Sequence, residues 1–105
     1  MKKEFHHIGI PTSKPSANEI YLPSVKLYIT DASQSPNRIE WIRAESDCPF
    51  PALMKTTAHV AYSVDNLEEA LKGQKVIWPA FEPLPGIRVA FIESDGAPVE
   101  FLQFS

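Results

Sequence analysis

His7-Ile8-Gly9-Ile10 and His59-Val60-Ala61-Tyr62 decide how this chain folds: in each, a histidine precedes a β-branched residue, a small residue and a large apolar one. A second echo accompanies them. Ile39-Glu40-Trp41-Ile42 and Val99-Glu100-Phe101-Leu102 each hold a lone carboxylate among apolar residues, one β-branched and one aromatic. The order is histidine, carboxylate, histidine, carboxylate, and such duplication constrains architecture more tightly than propensity does. β-branched and aromatic residues dominate these segments and turn formers bound them, so each reads as a strand.

Working outward, Val25 to Thr30 and Ile87 to Glu93 have the same strand character. Ser33-Gln34-Ser35-Pro36-Asn37 and Asp95-Gly96 are turn sequences that fold each of them onto the following carboxylate strand as a hairpin. The one helix begins at Asp65, with Glu68 as its capping-box partner and Gly73 as its terminator. Leu67, Ala70 and Leu71 fall on one face of it, which should cover the sheet of the second half. The matching stretch of the first half carries Pro11, Pro15 and Pro23, and proline inside a helix costs about 3 kcal/mol, so an irregular connection is expected there. Proline on both sides of Phe50 favours an extended linker at Cys48-Pro49-Phe50-Pro51. The result is an α+β chain, one domain over 1–105, built of two modules at about 1–48 and 52–105.

At 105 residues the chain has length for one such unit, and its 44% hydrophobic content excludes disorder as the default. Net charge is −3, with no Lys/Arg stripe among aromatics, which excludes nucleic acid as a partner. No apolar run reaches the roughly 20 residues needed to span a bilayer or the roughly 7 to 15 of a signal peptide, so no membrane role and a cytoplasmic location are expected. The single cysteine, Cys48, has no partner for an internal disulfide and no nucleophile signature around it, and reads as structural.

The chemistry lies in the duplicated strands. Alternate side chains share a face, so His7 stands beside Gly9 and His59 beside Ala61, small neighbours that leave room for each imidazole. If the modules pack as pseudo-symmetric copies, His7, Glu40, His59 and Glu100 converge as two nitrogens and two carboxylates. Two carboxylates held together repel, and a divalent cation removes the conflict. Mixed N and O donors suit one divalent ion such as Mn, Fe, Co, Ni or Zn. His6 is the rival of His7, but strand alternation sends it to the opposite face with Ile8 and Ile10, and its counterpart before His59 is Ala58. Trp78 and Phe81 suit either core packing or a substrate wall, with packing the commoner role of aromatics. Arg38, Arg43 and Arg88 are candidates to hold a substrate carboxylate or phosphate, or are solvated charges at strand edges.

His6-His7-Ile8-Gly9-Ile10, Ser63-Val64-Asp65-Asn66-Leu67-Glu68-Glu69-Ala70 and the closing stretch from Ala90 to Phe101 together resemble the vicinal oxygen chelate superfamily, which includes glyoxalase I. That resemblance implies paired βαβββ modules, the first lacking most of its helix, and metal ligands at His7, Glu40, His59 and Glu100. It also implies a metal-dependent lyase or isomerase acting on a small oxygenated substrate through an enediolate-like intermediate, with Glu40 or Glu100 as general base, and a homodimer. Glutamate at position 40 is more like bacterial glyoxalase I than the epimerases of the superfamily. Two further readings start from the same scaffold: a non-enzymatic small-molecule binder of the bleomycin-resistance type, which lacks the metal ligands, and an extradiol dioxygenase-like enzyme, for which Glu40 is surplus.

Overall fold

A computed structural model describes residues 1–105 as an α+β chain dominated by one eight-stranded sheet. The strands are β1 (Lys3–Pro11), β2 (Ile20–Leu22), β3 (Leu27–Ile29), β4 (Ile39–Ala44), β5 (His59–Val64), β6 (Lys75–Leu84), β7 (Ile87–Ser94) and β8 (Ala97–Phe104). Two short helices, α1 (Ala52–Thr56) and α2 (Leu67–Leu71), and a 3₁₀ turn at Ala32–Gln34 complete it. No helix is long and apolar enough to cross a membrane.

The sheet order β2-β3-β4-β1-β5-β8-β7-β6 carries the duplication seen in the sequence. In each half the first strand lies beside and parallel to the last, β1 with β4 and β5 with β8. The halves meet where β1 and β5 run antiparallel, and the sheet curls into a half-barrel. Both expected hairpins are present. β3 pairs with β4, and β7 with β8 through Asp95-Gly96, whose φ values of 56° and 76° are those a two-residue type I′ turn requires.

A parallel pair needs a crossover connection, and the two halves supply it differently. In the second, α2 makes the crossing and packs Leu67 and Ala70 on the convex face against Val64, Ala90, Ile92 and Phe101. Between β1 and β2 there is no helix, as the prolines dictate, and the convex face of the first half stays open, with Ile8 and Trp41 exposed. The cap of α2 is Asn66 rather than Asp65: its side chain accepts from the Glu69 backbone N–H at 2.9 Å. Asp65 instead accepts from the Lys2 backbone N–H, tying the chain's start to β5's end, and Glu68, expected as the capping-box partner, pairs with Arg88. Gly73, at φ 72°, stands just past the helix end as expected.

Two elements depart from the sequence reading, and a third was named by no residue pattern. That third is β6, a strand that only the resemblance implied; Pro79 and Pro83 lie within it, but at the sheet edge one side of the strand needs no partner, and three register shifts against β7 accommodate the prolines. α1 follows Pro51 directly and sends Met54 into the core with Phe50 and Cys48. The strand expected over 25–30 is cut to three residues, because Lys26 takes a left-handed φ of 54° in the turn that pairs β3 with β2. The largest apolar cluster fills part of the concave side, joining Leu22, Leu27, Ile42, Phe50 and Met54 to Phe91 of the other half.

Candidate metal centre

Strand register brings the four sequence-derived candidates together. Glu40, Gly9 and His59 form one cross-strand row on β4, β1 and β5, because Gly9 pairs with both neighbours. Glu100, Ala61 and His7 form the next row on β8, β5 and β1, because Ala61 pairs with both. Each row reads carboxylate, small residue, histidine, and the antiparallel β1–β5 seam sets the two rows head to tail. The small residue in the middle of each row is what lets the flanking polar side chains lean inward over it. One potential ligand atom from each of His7, Glu40, His59 and Glu100 lies within 4.8 Å of the others.

The contacts inside this ring are close and unequal. His59 Nε2 is 2.9 Å from Glu100 Oε1, and His7 Nε2 is 3.3 Å from that oxygen and 3.5 Å from Glu40 Oε1. Both imidazoles are buried, and Glu100 with them. His7 Nε2 has no properly oriented hydrogen-bond partner despite facing two carboxylates, an arrangement whose cost a buried polar atom rarely bears. A ring nitrogen aimed between two carboxylate oxygens is, once a cation has displaced its proton, one donor of a coordination sphere in outline. The donor set, two nitrogens and two oxygens, fits one divalent ion of the Mn to Zn series.

His6 corrects the sequence reading. Alternation places it on the far face, but the register of β1 against β5 slips between Phe5 and His7. This bulge turns His6 to the concave side, where its Nδ1 lies 2.8 Å from His7 Nδ1. One of the two nitrogens must carry the hydrogen; with His7 Nδ1 as donor, its Nε2 is left free for a metal. His6 is therefore the outer partner that fixes the His7 ring, a role second only to ligation. No feature of the sequence marks the bulge, since His6-His7 reads as ordinary alternation.

Charge within the ring is strongly coupled. Burial opposes protonation of His7, but Glu100 and Glu40 more than offset it and raise its pKa to about 10. Burial would push Glu100 up, yet His59 and His7 hold its carboxyl well below the usual carboxylate range. Near neutral pH, His7 of the chelator-stripped protein thus carries a proton that a metal must displace. Calorimetry in buffers of different ionisation enthalpy should find about one proton released per ion bound. The same shift sets a pH trend: His7's contribution to stability is complete below its unfolded value of 6.5 and is lost as pH rises towards about 10. The unfolding temperature of the stripped protein should therefore fall over that range. The increment added by metal should grow instead, because protons no longer compete.

The ring opens into a cavity of about 360 Å³ between the two arms of the half-barrel. Phe81, expected as packing or wall, lines it, whereas Trp78 packs edge-on against Phe50 at 4.9 Å and belongs to the core.

Fold and site together define a sheet-dominated α+β cup holding two histidines and two glutamates at its floor. No known family profile matches the sequence, and no curated protein does. Among solved structures, this fold is similar to that of a hypothetical protein, BH1468, from Bacillus halodurans C-125, with a TM-score of 0.76 over 100% of this chain and 96% of that one. Identity is 20%, so the likeness concerns the fold.

Proposed function

We propose that this chain is a metal-dependent lyase or isomerase of the vicinal oxygen chelate type, with paired βαβββ modules of which the first has lost its helix. The observation that supports this most is the pair of carboxylate-small-histidine rows, which place His7, Glu40, His59 and Glu100 around one point under a cavity. In this reading the four side chains hold one divalent ion, Ni, Co, Mn, Zn or Fe. When bound, such an ion supplies Lewis-acid stabilisation of negative charge on a substrate oxygen. The protein's own contribution is to exclude water with the apolar cavity wall, to orient the substrate, and to move a proton.

The two glutamates are not equivalent for that last task. Glu100 engages both imidazoles and its side chain is 9% exposed, so it is a fixed member of the ring. Glu40 has one longer contact, to His7 at 3.5 Å, and its side chain is 16% exposed on the cavity side. We assign the general base to Glu40, because a carboxylate with one weak tether can swing to a substrate C–H and back.

The test is exchange with D2O of the hydrogen on the oxygen-bearing carbon of 2-hydroxycarbonyl probes, followed by NMR with the protein loaded with each metal in turn. Wild type should accelerate exchange with at least one ion, and Glu40→Gln should lower the rate by roughly 10²–10⁴-fold. Absence of exchange with every ion, in protein that does bind metal, would leave a binder without catalysis and sink the enzymatic reading.

A further inference from the structure

Three arginines were candidates to hold an anionic group, and their surroundings separate them. Arg43 is committed to Glu19 through two contacts, at 2.8 and 2.7 Å, and Arg88 to Glu68 at 2.7 Å. Arg38 makes no ion pair, and it lines the cavity. Its guanidinium is nonetheless held in place. Nε donates to the His6 carbonyl at 2.7 Å, which leaves the terminal nitrogens free while removing the freedom of a loose surface side chain. Asp31, whose charge feels Arg38, accepts from the Ser33 backbone N–H and hydroxyl through Oδ1 and forms no ion pair with the guanidinium.

The backbone at this residue is costly. Arg38 adopts φ 55°, a left-handed conformation that side-chain-bearing residues enter at a cost of about 1–2 kcal/mol. Its carbonyl accepts from the Ile8 N–H at 3.0 Å and its N–H donates to Ser35 O at 3.2 Å, so β1 and the turn before β4 hold it there. A glycine or asparagine would sit more easily. An arginine kept in this conformation, pinned by Nε, unpaired and on a cavity wall is arranged for something that enters the cavity.

The rest of the wall narrows what that is. Fifteen of the twenty-five lining residues are apolar, among them Leu22, Ile29, Leu84, Val89 and Phe104. No lysine lines the cavity, and Asp31, Glu40 and Glu100 would repel further negative charge. We infer that Arg38 determines specificity by holding the single anionic group of a ligand whose remaining body is compact and apolar and whose other end carries the oxygens that meet the metal. The ligand portion inside the cavity is then a small monoanion such as a carboxylate, and a polyanionic group finds no place there. This inference rests on the metal-site reading above.

Zinc-loaded protein and catechols provide the test, because catechol offers two adjacent oxygens and zinc does not oxidise it. The ring carries a carboxylate directly or through one or two methylenes, and each acid is compared with its methyl ester by calorimetry. For at least one arm length the acid should bind wild type about tenfold or more tightly than its ester, the gain of one charge-assisted contact. Arg38→Gln should erase that preference without changing ester affinity, and Arg38→Lys should keep part of it. Equal binding of acid and ester at every length, or a preference that survives in Arg38→Gln, overturns the assignment while the metal site stands. Failure of wild type to bind zinc overturns the metal reading and this inference together.

Discussion

Glu100→Ala should abolish stoichiometric binding of a divalent ion. Wild type, stripped with chelator and titrated with Ni, Co, Mn, Zn and Fe, is expected to take up one ion per chain, and the variant none at comparable concentration. The reason is geometric: Glu100 Oε1 is the one atom in contact with both imidazoles, 2.9 Å from His59 Nε2 and 3.3 Å from His7 Nε2. Loss of an outer partner typically costs roughly 10–100-fold in affinity, and loss of a ligand itself should exceed that. Glu100→Gln separates charge from shape, since the amide keeps the size of the side chain and an acceptor for His59 but not the negative charge. Both variants should lose the metal. Both should also lose the stability that the Glu100 charge lends through His7, and the alanine variant should lose more, on the order of a further 1–3 kcal/mol, because it strands buried imidazole nitrogens without a partner. If wild type binds no ion tightly, or Glu100→Ala binds as well as wild type, the ring is a polar core network and not a metal centre.

The ring was legible in the sequence because the physics that builds it is local and periodic. Side-chain alternation puts His7 with Gly9 and Glu40 with Ile42, and the duplicated order requires only that two similar modules meet at their first strands. The hairpins were legible for the same reason, since Asp95-Gly96 states its turn type in two residues. What escaped is what alternation does not govern. The bulge that turns His6 inward arises from pairing between β1 and β5, a tertiary fact with no local signal. β6 was implied by the resemblance but not by its own residues, since Pro79 and Pro83 suit a strand only at an edge, and that edge position is a property of the whole sheet. Asp65 was read as the cap of α2 and Asn66 was missed, because the distant Lys2 backbone claims the aspartate and leaves its neighbour to take the helix end. Arg38 could be named among three arginines but not chosen, because the choice depends on where Glu19 and Glu68 stand.

Gly9→Ala should be nearly as damaging to the site as loss of a ligand, although Gly9 carries no functional group. A Cβ built on Gly9 would lie 2.1 Å from His59 Cε1, 2.5 Å from Nε2 and 2.7 Å from Nδ1, distances no pair of non-bonded atoms sustains. The His59 ring has little room to retreat, being buried with Phe91 set edge-on at 5.2 Å. It must rotate away and break its contact with Glu100, or the β1–β5 seam must open. Either way metal affinity should fall by a hundredfold or more, past the roughly 10–100-fold usual for a supporting residue, and overpacking should cost about 1–3 kcal/mol of stability. The backbone of Gly9 is not the difficulty, because its φ lies outside the left-handed region. The double variant Gly9→Ala/His59→Ala removes the atoms that the new methyl meets. It should therefore be more stable than the sum of the single losses predicts, with a coupling of about 0.5–3 kcal/mol, while metal binding stays absent. Strict additivity of the two losses would mean that the methyl is accommodated elsewhere, and that Gly9 is small for a reason other than the imidazole lying over it.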